Sequence, residues 1–261
     1  MEKVMVSEVI VSYEKFNVIP VQHAFQNMWH FSIYIAVAYL VAVYAAERIV
    51  QKKRDTKWLL AFWNLGLAIF SLWGAYNVTW LLIEDLLTVG FNRTVCWKDY
   101  YVNRKPLAYW LYLFCLSKLP ELFDTAFIIL RKAPLQILHT YHHASVLVFS
   151  WHILAYGPGA SYWYAAMNYM VHGIMYTYFC LRAIKIKIPE FLAKCITSLQ
   201  SVQMLVGFTV NFYSIYKKLQ GEECGNTYAH SAVAIFLYFS YFVLFLRFAQ
   251  QRYSKPKAKT Q

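Results

Sequence analysis

Residues 58–83 read WLLAFWNLGLAIFSLWGAYNVTWLLI, a run without a single charged side chain. As a helix rising 1.5 Å per residue it would extend roughly 39 Å, more than the ~30 Å hydrocarbon core of a bilayer. Six further apolar stretches flank it: Trp29–Ala46, Leu107–Leu130, Pro134–Tyr156, Ser161–Leu181, Glu190–Tyr216 and Tyr228–Phe248. Hydrophobic residues make up 59% of the 261-residue chain and charged residues 15%, whereas soluble domains run at about 45–50% and about 25%. A water-soluble core has no use for so much apolar surface. Seven spans of about 23 residues would take roughly 160 residues, leaving only tails and short loops. Soluble, disordered, collagen-like and disulfide-stapled secreted classes are excluded. The expected fold is all-α and polytopic, with a segment 1–28, a seven-helix membrane domain 29–250 and a basic tail 251–261.

Charge sets the expected orientation. Odd-numbered loops and the C-terminal tail hold fifteen bases against the three acids Glu47, Asp55 and Glu190, while the opposite side holds eight of each. The whole formal charge of +12 therefore falls on one face, which the positive-inside rule makes cytoplasmic and which puts the N-terminus on the lumenal side. Because these bases flank apolar spans, anionic lipid head groups or a phosphorylated substrate suit them better than nucleic acid. The first 28 residues lack a continuous apolar run and do not read as a cleavable signal. Asn92-Arg-Thr94, in the second loop, is a glycosylation sequon. Cys96 and Cys224 fall on the same non-cytoplasmic side, where a disulfide can persist, although two free thiols would also fit. Cys115, Cys180 and Cys195 lie in spans and read as packing residues.

Ionisable groups inside a bilayer are costly, so their grouping carries information. Span three has Lys118, Glu121, Asp124 and Thr125, which share one face at 100° per residue. Span four has His139, His142 and His143, within an arc of about 100°. Span five has Asn168, His172 and Tyr176, and span six has Thr197, Gln200 and Gln203. Counted along the helices, Asp124 and His142 lie roughly 10 and 12 Å from the cytoplasmic ends of their spans, and His172 and Gln200 roughly 15 Å. Four stripes thus reach one level, as the walls of a site would. Hydrogen bonding between helices explains a single stripe, the Thr197 stripe in particular, better than it explains all four. His152 lies below the arc and reads as structural; His23, His30 and His230 sit near span ends.

Two chemistries suit the cluster. Histidines at helical spacing can hold a metal, as in membrane lipid oxidases and desaturases, although those enzymes use more histidines than His139, His142, His143 and His172. Alternatively, a neutral imidazole can attack a thioester and carry the acyl group onward. A seven-helix receptor is the non-enzymatic alternative.

The segments Lys118-x-x-Glu121-x-x-Asp124-Thr125, His139-x-x-His142-His143, Asn168-x-x-x-His172-x-x-Met175-Tyr176 and Thr197-x-x-Gln200-x-x-Gln203 resemble the four signatures of the ELO very-long-chain fatty acid elongases, in order and one per span. The wording around them, Phe127–Lys132 and Met167-Asn-Tyr, resembles the type-six and type-three branch, from which Phe123 and Thr140 depart. The resemblance covers roughly residues 25–255. It implies a 3-ketoacyl-CoA synthase of the endoplasmic reticulum, joining long-chain acyl-CoA to malonyl-CoA with no cofactor or metal and working beside other enzymes of the elongation cycle. Spans two to seven would enclose an acyl tunnel closed at the lumenal end. His142 would be the nucleophile, and His172, held by Asn168, would polarise the malonyl thioester. Asp124 and Glu121 would orient His139 and His143, with Lys118 balancing their charge. Thr125, Tyr176, Gln200 and Gln203 would bind substrate, and Arg131, Lys132, Arg182, Lys185, Lys187 and Arg252 are candidates for the CoA phosphates. Lys257-x-Lys259 matches a dilysine retrieval signal.

Overall fold

The structure, a computed structural model, describes residues 16–97, 104–157 and 159–253. The dilysine segment lies outside them, as does most of the basic tail. Among the described residues there is no β-strand. The helices are α1 (Val18–Met28), α2 (Phe31–Ile49), α3 (Lys57–Thr88), α4 (Gly90–Cys96), α5 (Lys105–Ser117), a 3-10 turn (Pro120–Phe123), α6 (Asp124–Leu130), α7 (Ile137–Tyr156), α8 (Ser161–Ala183), α9 (Glu190–Leu219) and α10 (Tyr228–Tyr253).

Helices α2, α3, α9 and α10 are long and apolar enough to cross a membrane. Their outer faces carry rows of exposed Trp, Tyr, Phe and Leu, for example Trp58, Phe62, Ile69 and Tyr76 on α3, a surface that suits lipid and not water. The chain is therefore an all-α polytopic membrane protein. The other three expected spans map onto α5–α6, α7 and α8. Helix α1, within the stretch that lacked an apolar run, lies against α5 and α7.

The expected span 107–130 is not one continuous helix. Pro120 has no N–H, and its ring excludes the carbonyl of residue 116 from an α-helical bond. The chain tightens instead into 3-10 geometry, with Leu119 N–H bonded to Leu116 O (3.1 Å) and Leu122 N–H to Leu119 O (3.2 Å). At three residues per turn, positions i and i+3 eclipse, which sets Lys118 directly above Glu121.

Helices α3 and α8 pack closely against one another. A Cβ on Gly74 would come within 2.5 Å of the Tyr169 ring, and one on Gly173 within 2.7 Å of Leu72. Such small residues let helices approach where lipid supplies no hydrophobic drive. One end of the bundle is knitted shut. Cys96 and Cys224 form a disulfide, and Gly225 N–H donates to Cys96 O (2.6 Å). The fully buried Asn226 donates to Val95 O (3.2 Å) and Ser214 Oγ (2.9 Å) and accepts from Ala160 N–H (3.2 Å). Nearby, Asp85 is completely buried and paired with Arg104 (2.6 Å). The disulfide joins positions 128 residues apart, and closing so long a loop stabilises a fold by about 2–4 kcal/mol. Cys96→Ser is expected to lower the thermal midpoint of the purified protein, and reductant to lower that of the parent but not of the variant.

At the opposite, basic end, α6 and α8 stop in the same way. Lys132 (φ 53°) and Lys185 (φ 69°) are left-handed, with Ala133 N–H returning to Ile128 O and Ile186 N–H to Leu181 O, each at 3.0 Å. This helix-ending motif satisfies carbonyls that the helix leaves open.

Candidate active site

Where the 3-10 turn meets α8, the Lys118 ammonium is enclosed, 2% exposed. It donates to Glu121 Oε1 (2.6 Å) and Asn168 Oδ1 (2.8 Å) and lies 4.6 Å above the Phe114 ring. Ser117 adds a bond to the same carboxylate oxygen (3.0 Å). The other oxygen, Oε2, is buried without a hydrogen-bond partner and faces His172 Nδ1 at 3.8 Å, a charge contact longer than a hydrogen bond.

Asp124, one turn on, looks the other way. Trp63 Nε1–H of α3 donates to its Oδ1 (2.6 Å) and the Tyr176 hydroxyl to its Oδ2 (2.7 Å). Thr125 bonds to His139 Nε2 (2.8 Å) and to the Tyr39 hydroxyl of α2 (2.7 Å). The His139 and His143 rings sit 4.3 Å apart, and His143 and His142 5.4 Å apart.

His142 borders a narrow slot of about 30 Å³. Val146, Phe149 and Ile153 continue one wall along α7, and Phe114, Tyr164, Met204 and Tyr238 face them. By helical rise the wall from His142 to Ile153 is roughly 16 Å long. The polar groups on the slot are His142, Ser150, Asn168 and Gln203, besides the tyrosine hydroxyls. The wall draws on α5, α7, α8, α9 and α10; α3 contributes no lining residue, and its part in the site is Trp63.

Several expected roles change. The carboxylates do not hold His139 and His143: Asp124 is anchored by Trp63 and Tyr176, and Glu121 faces His172. Asn168 is bonded to Lys118 instead of supporting His172. Thr125 and Tyr176, expected to bind substrate, each bond to a site residue, His139 and Asp124 respectively. Gln200 donates to Met175 Sδ (3.2 Å), while Thr197 bonds to Tyr253 (3.2 Å), away from the cluster. For Glu121 and Asp124 the 3-10 turn supplies the reason, because it breaks the 100° spacing that set all four residues of span three on one face. Arg131, Lys132, Arg182, Lys185, Lys187 and Arg252 are all exposed at the basic end. Asn92 is exposed, and its Oδ1 accepts from the Tyr213 hydroxyl (3.3 Å). His230 is buried between the Phe149 and His152 rings. The departures Phe123 and Thr140 make no hydrogen bond into the cluster. Among the described residues, no three His, Cys, Asp or Glu side chains gather as metal donors would.

Trp63 and Tyr39 carry no motif signal, since each stands in an apolar helix as one aromatic among many. Their polar tips, which need partners once buried, were the only hint. Trp63→Phe would strip a bond to a carboxylate, worth about 1.5–3 kcal/mol. A lowered thermal midpoint, with the helical circular-dichroism signal retained, is the expected result.

Comparison with known proteins agrees with the resemblance of the four segments. Residues 24–261 match the family model described as ELO, the GNS1/SUR4 family. Human very long chain fatty acid elongase 3 is 39% identical over 239 residues, covering 91% of this chain and 88% of that protein. Very long chain fatty acid elongase 6 of Drosophila melanogaster is 37% identical over 232 residues, 87% of this chain and 73% of that protein. Human very long chain fatty acid elongase 6 is 35% identical over 237 residues, at 90% and 89% coverage. A match of this extent leaves one conclusion: the chain belongs to the ELO (GNS1/SUR4) family.

Proposed function

We propose that this protein is a fatty acid elongase of the condensing type, a 3-ketoacyl-CoA synthase that carries the growing acyl group on His142. One observation bears most of the weight: of the four clustered imidazoles, His142 is the one that lines the apolar slot. The names of its relatives supply the substrate class, fatty acyl chains.

In the first stage an imidazole nitrogen of His142 attacks the acyl-CoA carbonyl. The C–S bond breaks, CoA leaves as the thiol with the imidazole proton, and the acyl chain extends into the slot, which at about 30 Å³ has to widen to hold it. Malonyl-CoA then loses CO2, and the electron pair of that C–C bond forms the new bond to the acyl carbon. The acyl–nitrogen bond breaks, its electrons return to the ring, and the ring takes up a proton from solvent to regenerate the neutral imidazole. Because Asn168 Oδ1 already accepts from Lys118, its Nδ2 hydrogens are the donors left to stabilise a developing oxyanion on the slot. His172, with Glu121 3.8 Å from its Nδ1, would polarise the malonyl thioester. Gln203 adds a polar contact on the slot wall.

The same reading counts α5–α6, α7 and α8 as spans, giving seven. It places the protein in the endoplasmic reticulum membrane, with the disulfide end and a glycosylated Asn92 lumenal, because disulfides persist in oxidising compartments. The basic end then faces the cytoplasm, where Arg131, Lys132, Arg182, Lys185, Lys187 and Arg252 are candidates for the CoA phosphates.

Intact-protein mass spectrometry after incubation with palmitoyl-CoA alone tests the mechanism. A single palmitoyl adduct, discharged by malonyl-CoA with release of 3-ketoacyl-CoA, is expected. Turnover without any adduct on the protein would refute the covalent step.

A further inference from the structure

We infer that Tyr39, on the first long helix, is a positioning residue for the histidine cluster, fixing through Thr125 which nitrogen of His139 carries the proton. The inference deepens the acyl-histidine reading above and rests on it. Helix α2 otherwise turns outward, with Tyr34, Val37, Val41 and Tyr44 exposed. Its inner face, Ala36, Tyr39 and Val43, packs on Ile129 and Ala144, next to the site. From there the Tyr39 hydroxyl lies 2.7 Å from Thr125 Oγ1, which lies 2.8 Å from His139 Nε2.

Such a chain of hydroxyls can run in two directions, and burial decides between them. If His139 Nε2–H donated to Thr125 and Thr125 to Tyr39, the phenolic proton would have no acceptor among the described residues. A buried donor left unpaired is disfavoured. In the other direction no buried donor is stranded: Tyr39 donates to Thr125, Thr125 donates its only proton to Nε2, and His139 carries its hydrogen on Nδ1, the outer nitrogen of a half-buried ring, which is not among the buried atoms left unpaired. The direction of one hydrogen bond from α2 therefore selects the tautomer of a ring in the cluster.

Two consequences follow. The Nε2 lone pair of His139 is engaged, so that nitrogen is not the nucleophile. The ring is also held in place against His143, which in turn stands beside His142. Tyr39 thus acts on the reacting imidazole without touching substrate. It belongs to a helix that the expected tunnel, built from spans two to seven, leaves out.

A double-mutant cycle on the full-length purified protein tests this. Tyr39→Phe, Thr125→Val and the double variant would be compared for the rate of palmitoyl adduct formation, for steady-state elongation and for thermal midpoint, with Thr125→Ser as the conservative control. Each single variant is expected to lose about tenfold in acylation rate and kcat, with KM for palmitoyl-CoA unchanged within about twofold. The double variant should be no slower than Thr125→Val alone, because both substitutions cut the same chain, and Thr125→Ser should retain the parent rate. Losses that multiply, a parent rate in Tyr39→Phe, or losses that track the thermal midpoint would each overturn the inference. Should the parent elongate without forming an adduct, the covalent reading fails, and the same cycle on kcat still decides the role of Tyr39.

Discussion

His142→Ala is expected to abolish both the palmitoyl adduct and the release of CoA in the absence of malonyl-CoA, and to lower kcat on the order of 10³-fold or more. A nucleophile that forms the covalent intermediate has no substitute: without it the acyl group has nowhere to rest between the two substrates. The ring also packs edge-on against Tyr241, with centroids 5.1 Å apart, so alanine removes some packing as well. His142→Gln, of similar bulk, separates the two effects. It should keep the thermal midpoint of the parent and be as inactive as alanine. His139→Gln should retain an adduct at a reduced rate, since its Nε2 is engaged by Thr125. CoA release at the parent rate from His142→Gln would reject His142 as the acyl carrier.

The second large effect is structural and begins at Lys118. Its ammonium joins Glu121 to Asn168 with almost no access to solvent. Lys118→Met would leave Glu121 as a buried carboxylate without its counter-charge. Breaking one side of a buried pair costs about 3–5 kcal/mol, much of it the penalty of the charge left behind. The single variant is expected to give little monodisperse protein in fluorescence-detected size exclusion. Glu121→Gln added to Lys118→Met removes the stranded charge and should restore most of the folded material. It should not restore elongation, because Asn168 has lost the donor that fixes its amide and His172 has lost its carboxylate. Lys118→Met folding as well as the parent would show that the bonds of Lys118 to Glu121 and Asn168 do not hold this end of α5 to α8.

These two predictions differ in how far they could be anticipated. His142 was a candidate from the spacing of three histidines on one helical face and from the family resemblance, but spacing left the three imidazoles equivalent. The slot separates them. Lys118 was expected to offset Glu121 by an i,i+3 relation, and it does, but through a 3-10 turn set by Pro120 and not along a straight helix. Its second partner, Asn168, had been assigned to His172.

The membrane class, the half-cystines and the gathering of polar residues from spans three to five were all legible in the residues alone. Each of these depends on composition, or on position counted along one chain at a fixed rise per residue. Which group meets which was decided only by the tertiary structure. Asp124 binds Trp63 and Tyr176, Thr125 links Tyr39 to His139, and Asn168 meets Lys118. Such pairings turn on the rotation of each helix about its axis, where one residue is 100°. A single proline that tightens one turn is enough to send neighbouring carboxylates to different partners.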